Sequence, residues 1–384
     1  MVSPGVIIVG SGPAGVAAAA SFRDHDGDAP VRIFSADIDL PYARPPLSKE
    51  YLRGQTDDVA LHPAQWFDDR AIELTPGAPV DRLDVAERAV YAGDQRHTYD
   101  TLILACGAAP AAPPIPGGRR ALPLRSLADA AALRGAASTA ASAVVIGSGF
   151  IGCEAAASLA MRGIPVTLVA PGALPQEKRL GPEAAERLRD LVTASGARHV
   201  GGVAVEEITD AGVRLGNGVT IDCDLVLAAT GVTPQSGIAA AAGLDVRDSR
   251  VVVGSDMATS APGVYAAGDV ALARHEVAGR HLAIEHWQDA TDQGAVAGGR
   301  AAGRPAKWDA VPGFWTSIGD STLKYHAWGD GYERSRLLER DDGFTVWYDS
   351  GNAVVGVLTF NADDDYELGE RLIAEHRPAP VPME

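Results

Sequence analysis

The sequence predicts an α/β fold: two Rossmann-like dinucleotide-binding domains, the second inserted in the first, followed by a C-terminal α+β interface domain. Three observations carry this reading. The glycine fingerprint Gly10-Ser11-Gly12-Pro13-Ala14-Gly15 follows the apolar run Val6-Ile7-Ile8-Val9. A second one, Gly147-Ser148-Gly149-Phe150-Ile151-Gly152, follows Val144-Val145-Ile146. From about Lys307 the texture changes to alternating aromatic and β-branched residues, the pattern of a small antiparallel sheet.

Each fingerprint sits between a buried parallel strand and an Ala-rich helix, the context in which G-x-G-x-x-G acquires meaning. The first glycine permits the tight turn, the second lets the backbone approach a pyrophosphate, and the third lets helix and strand pack closely. The free N–H groups and positive dipole end of the helix then face the phosphates. Two such motifs predict two dinucleotides on one chain, and hence electron transfer between them.

In the first unit Val31–Phe34 is the second strand, and Asp37 and Asp39 lie just beyond it, where a carboxylate accepts hydrogen bonds from an adenosine ribose. Ser35 directly follows the strand, so that assignment floats by a few positions. Tyr99-Asp100-Thr101-Leu102-Ile103-Leu104-Ala105-Cys106-Gly107 reads as a strand ending in a glycine turn, and Pro110–Pro116 as a hinge. The second unit repeats the plan with strand Val166–Val169 and closes on Leu225-Val226-Leu227-Ala228-Ala229-Thr230-Gly231. The similar endings suggest an internal duplication. Gly263-Val264-Tyr265-Ala266-Ala267-Gly268-Asp269 then brings an acid to a glycine turn, either to orient sugar-alcohol hydroxyls or as an ordinary helix N-cap. A helix is expected from Ile284-Glu285-His286-Trp287 to Gly298. Strands are expected at Phe344–Tyr348 and Val354–Phe360, a helix at Tyr366–Glu375, and a loose tail at Pro378–Glu384. The expected boundaries are residues 1–110 with 236–306, then 111–235, then 307–384.

At 384 residues the chain exceeds one ordinary core. A net charge of −17 argues against nucleic acid and anionic membrane as partners. Apolar runs such as Leu225–Ala229 fall far short of the roughly 20 residues a membrane span needs. The first strand begins too soon to leave room for a signal peptide. Cys106, Cys153 and Cys223 stand apart with no C-x-x-C pair, which fits small core residues in a reducing, cytoplasmic setting and neither a dithiol nor a zinc site.

These landmarks, in this order, resemble the two-dinucleotide flavoprotein disulfide reductase superfamily. Pro41-Tyr42-Ala43-Arg44-Pro45-Pro46-Leu47-Ser48-Lys49 is similar to the signature of its oxygenase-coupled ferredoxin reductases, the branch of rubredoxin and putidaredoxin reductases and the apoptosis-inducing factor. In disulfide reductases this region carries redox cysteines, whereas here it carries none. The resemblance implies an FAD domain, an inserted NAD(P)H domain and an interface domain, with hydride passing from NAD(P)H to FAD and electrons leaving singly for a ferredoxin-type partner. It implies that Gly10, Gly12, Pro13, Ala14, Gly15, Ala105, Gly107, Gly268 and Asp269 surround the FAD diphosphate and ribityl chain, with Asp37 at the ribose and the Val80 backbone at the adenine. Arg44 and Lys49 then lie near the flavin, Glu285-His286-Trp287 present backbone to its pyrimidine end, and Phe314-Trp315 form an aromatic exit. Gly147, Gly149, Phe150, Ile151, Gly152, Thr230 and Gly231 would hold NAD(P)H, with Glu154 facing the nicotinamide. Lys49, Glu154 and Trp315 are the expected catalytic residues.

Plainer readings compete. Arg44 and Lys49 could be solvated loop charges, Glu154 a surface residue and Trp315 simple core at a domain seam. Three departures from the family pattern matter. Cys106 replaces a threonine, and the acid–glutamine pair after Trp315 is missing. Ala170 stands where NADH-preferring relatives carry an acid, so Lys178 and Arg179 could pair with a 2′-phosphate and relax specificity toward NADPH. An oxidase or diaphorase, and a redox-sensing binding protein, are the rival functions. A monomer and a homodimer are equally compatible with the sequence.

Overall fold

The computed structural model describes residues 3–25 and 28–380; the end of the expected C-terminal tail lies outside them. The first sheet is five-stranded and parallel. It is built from β1 (Val6–Val9), β2 (Val31–Phe34), β3 (Ile72–Thr75) and β4 (Thr101–Leu104), with β9 (Val264–Ala266) joining from far along the chain. The spatial order is β9-β4-β1-β2-β3, with Val6 opposite both Val31 and Thr101. Every residue of β1 is buried, as a strand covered on both faces requires.

The second sheet repeats the scheme with β5 (Ala143–Ile146), β6 (Val166–Val169), β7 (Arg198–Val200) and β8 (Leu225–Ala228) in parallel order β7-β6-β5-β8. An antiparallel pair, Ala108–Pro110 with Val232–Pro234, ties the two crossings between the sheets side by side. The third sheet is antiparallel, in the order β10-β11-β14-β13-β12. Its strands are β10 (Gly313–Ile318), β11 (Ser321–Ala327), β12 (Arg334–Glu339), β13 (Phe344–Ser350) and β14 (Ala353–Phe360).

The helix α1 (Pro13–Asp24) opens with proline at its first position, where no N–H is needed. It is matched in the second unit by α2 (Phe150–Met161), and further on come α3 (Glu177–Ala194), α4 (Trp287–Ala301) and α5 (Asp363–Ala374). Gly294 and Gly298 of α4 lie one turn apart, and a methyl on either would stand 2.2 or 2.1 Å from the carbonyl oxygens of Ala14 and Ala18. The absent side chains let α4 return onto α1 almost backbone to backbone. The expected helix from Ile284 begins instead at Trp287: Ile284 is buried core ahead of the helix and His286 is the non-helical cap. The C-terminal helix begins earlier than expected, at Asp363, its first turn carrying three aspartates that suit the positive dipole end.

Candidate active site

The two fingerprints fold by the same steric rule. Gly10 has φ 113° and Gly147 has φ 103°, and a methyl there would lie 2.2 and 2.3 Å from the carbonyl oxygens of Ala105 and Ala229. Gly15 and Gly152 close each turn: a methyl on either would come within 1.9 Å of the Gly10 or Gly147 carbonyl oxygen. Gly12 and Gly149 are the extended N-caps of α1 and α2, with no side chain covering the helix N–H groups.

Around the first turn the structure gathers a cationic rim. A methyl on Gly12 would lie 3.5 Å from the Arg44 guanidinium. Burial and the neighbouring Arg125 charge lower the pKa of Arg44, and among the described residues it makes no ion pair. Arg125 is ion-paired with the buried Asp269 and donates to the Ala108 carbonyl at 3.2 Å. Gly268, at φ 77°, is fixed by its N–H donating to Gln293 at 2.9 Å and stands 3.2 Å, as a methyl, from the Ala14 side chain. Asp269 lies inside a short 3₁₀ turn, Gly268–Val270, with no capping bond, so the plain N-cap reading does not hold. Two half-buried cations, bare helix N–H groups and a glycine floor form a cradle for a doubly negative diphosphate. The residues of the first site therefore fit FAD.

Other expected residues arrange themselves less simply. Asp37 accepts from the Tyr42 hydroxyl at 2.6 Å, while it is Ser35 that meets the fingerprint, its hydroxyl 2.7 Å from that of Ser11. Ala105 is buried and Gly107 turns at φ 66° behind it. Val80 is half-buried against the main core. Glu285 sends its carboxylate to Arg250, leaving its backbone at the start of α4. His286 Nδ1 lies 3.0 Å from the buried Asp289 carboxylate, and Trp287 is half-buried beside it.

The centre of the site is a buried polar junction. The Lys49 ammonium lies 2.8 Å from Glu154, with side-chain exposures of 8% and 3%. Lys49 also donates to the Pro45 carbonyl at 2.9 Å. Glu154 accepts in addition from the hydroxyls of Ser48 and, at 2.7 Å, Thr316. Glu154 comes from α2, Lys49 from the first unit and Thr316 from β10, so one carboxylate joins all three sheets' units. The surface reading of Glu154 and the solvated reading of Lys49 are thereby excluded. Strand alternation turns the next residue outward: Thr316 is 1% exposed and Trp315 46%. Trp315 is not seam core. Phe314 is the packed member of the pair, 4.8 Å from Phe150 and 4.6 Å from His286, ring centre to ring centre.

On the second unit a cleft of about 900 Å³ opens between the fingerprint and the third sheet. Gly149, Ala170, Lys178 and Arg179 line one side and Tyr325 and Tyr332 the other. Ile151 is 47% exposed on α2. Thr230 and Gly231 follow β8 outside this lining, the threonine hydroxyl donating to the Ala111 carbonyl at 2.7 Å.

The thiols take no part. All three cysteines are unpaired. Burial pushes Cys106 up to about 12 and Cys223 to about 11, and raises Cys153 as well, so none supplies a thiolate near neutral pH. Among the described residues no group of side chains could hold a metal ion, and no helix is long and apolar enough to cross a membrane.

The sequence reading missed Arg125 and Thr316. Arg125 is a lone arginine after the hinge, with no spacing signal toward Asp269, and Thr316 depends on which strand face turns inward.

The pyridine nucleotide-disulphide oxidoreductase model matches residues 4–294. The chain belongs to this family. Members of this family unite pyridine-nucleotide and flavin chemistry, and this chain is an NAD(P)H- and FAD-dependent oxidoreductase. It is 33% identical to rhodocoxin reductase of Rhodococcus erythropolis over 97% of this chain and 90% of the relative. The crystal structure of the ferredoxin reductase for the CYP199A2 system of Rhodopseudomonas palustris superposes with a TM-score of 0.93 at 30% identity, covering 98% and 96% of the two chains. The covalent putidaredoxin reductase–putidaredoxin complex matches with a TM-score of 0.92 at 29% identity, over 97% and 94%.

Proposed function

We propose that this chain carries electrons from NAD(P)H through bound FAD to a ferredoxin-type iron–sulfur protein that serves an oxygenase such as a cytochrome P450. The single observation that carries the proposal is the change of environment within two residues of β10. Thr316 closes the buried Lys49–Glu154 junction, and Trp315 beside it faces solvent. The relatives named for ferredoxin systems support the identity of the acceptor.

Residues 1–110 and 236–306 form the FAD unit in this reading, 111–235 the NAD(P)H unit and 307–384 the interface unit. When bound, FAD supplies the ability to accept a hydride and release electrons one at a time. The protein's part is placement. The Gly10–Gly15 turn and Arg44 would hold the diphosphate, and Asp269, itself held by Arg125, would accept from the sugar chain. Lys49 would supply a positive charge to a bound flavin, and Glu154 keeps that ammonium oriented. The Gly147–Gly152 turn seats the second dinucleotide, while Phe150 and Phe314 form an apolar wall that keeps water from the transfer. Trp315 offers an exposed aromatic contact at the exit, the residue type that anchors protein interfaces.

The test is anaerobic mixing of the yellow holoprotein with NAD(P)H, followed by addition of ferredoxin and cytochrome c. Rapid bleaching, with cytochrome c reduction that requires ferredoxin, is expected. Fast reoxidation by oxygen with no ferredoxin requirement contradicts the carrier role. A colourless protein contradicts the flavin chemistry altogether.

A further inference from the structure

The cleft on the second unit shows how a coenzyme's adenosine end would be distinguished. In a Rossmann unit the end of the second strand faces the adenosine ribose: an acid there binds the 2′-hydroxyl and repels a phosphate, whereas a nearby arginine accommodates a 2′-phosphate. Here β6 ends at Val169 and the next residue is Ala170, 3% exposed, its N–H donating to the Val200 carbonyl at 3.1 Å. Ala170 lines the cleft and offers it only a methyl.

Lys178 and Arg179 line the same cleft. Both are solvent-exposed, and among the described residues neither makes an ion pair. Their charges are therefore not committed to the fold. Two carboxylates also line the cleft. Asp330 is occupied by Arg280 at 2.6 Å, which leaves Glu177 as the opposing charge. The balance of uncommitted charge on the lining favours an anion.

We propose that this cleft is a subsite for a 2′-phosphorylated adenosine, with Lys178 and Arg179 as its phosphate ligands and Ala170 as the residue that admits it. This rests on the dinucleotide reading of the second fingerprint and names which coenzyme that unit selects. A phosphate held by two cations gains charge-assisted hydrogen bonds that a bare hydroxyl cannot make. Losing them costs roughly tenfold or more in affinity.

The test is calorimetric titration of the holoprotein with 2′,5′-ADP and with 5′-AMP, which differ only in the 2′-phosphate. The wild type is expected to bind 2′,5′-ADP at least roughly tenfold more tightly at low salt, with the preference shrinking as salt rises. The double variant Lys178→Ala/Arg179→Ala is expected to lose it, Lys178→Arg to keep it, and Ala170→Glu to weaken 2′,5′-ADP alone. Thermal melts of each variant show that the fold is intact. Equal affinities in the wild type, no detectable 2′,5′-ADP binding at millimolar concentration, or a preference that survives the double variant each overturn the proposal. Flavin bleaching by saturating NADH would still occur in all those cases, so failure of the subsite is separable from failure of the oxidoreductase reading.

Discussion

Replacing Glu154 by glutamine leaves the shape of the buried junction and removes its charge. Four donors converge on that carboxylate: the Lys49 ammonium, the Ser48 and Thr316 hydroxyls and the Ser317 N–H. An amide carries no charge, so Lys49 is left at 8% exposure without its counter-ion. Breaking a buried pair from one side costs about 3–5 kcal/mol. With a urea slope of roughly 3 kcal/mol per molar, that is a midpoint shift of roughly 1–1.7 M. The assay is a double-mutant cycle of Lys49→Met, Glu154→Gln and the pair, followed by urea unfolding of the holoprotein. Each single change should destabilise strongly, and the double should recover much of the loss, with a coupling of at least about 2 kcal/mol. A coupling below about 0.5 kcal/mol would refute the claim that this ion pair staples the three units.

Adding a methyl to Gly15 or Gly152 should separate the two sites: Gly15→Ala yields protein without its yellow colour, whereas Gly152→Ala keeps the colour and no longer bleaches with NAD(P)H. Trp315→Ala removes an exposed ring, so stability should stay within about 0.5 kcal/mol and bleaching should be unchanged. Ferredoxin-dependent cytochrome c reduction, measured in the same preparation, should fall roughly tenfold. His275 is fully buried, with Nδ1 accepting from the Ala278 N–H at 3.1 Å and Nε2 facing the Ala310 carbonyl at 2.8 Å, and its pKa is lowered chiefly by burial. The unfolded chain takes up that proton and the folded one resists it. Stability is therefore full above about pH 6.5 and falls as pH drops below it, and His275→Gln should flatten the decline in pH-dependent unfolding.

The fingerprints were legible because their requirement is local. A carbonyl 1.9 Å from a would-be methyl leaves glycine as the only residue for Gly15 and Gly152, and the flanking strands are continuous apolar runs. Both parallel sheets and the C-terminal antiparallel sheet follow from such patterns. The site's polar wiring was less legible, since it is made between distant segments. Nothing near Arg125 in the sequence points to Asp269, 144 residues away. The bond from the Tyr42 hydroxyl to Asp37 and the Ser11–Ser35 contact illustrate the same limit, since no local spacing announces either. The outward face of Trp315 depended on strand register, which a short strand does not announce on its own.

The most direct measurement is an anaerobic titration of the holoprotein with NAD(P)H, with thiols counted by a disulfide reagent before and after. One equivalent should bleach the flavin fully, with no thiol gained, because Cys106, Cys153 and Cys223 are unpaired and held protonated. Consumption of a second equivalent together with the appearance of two new thiols would contradict a direct passage of electrons from nicotinamide through flavin to the exposed rim at Trp315.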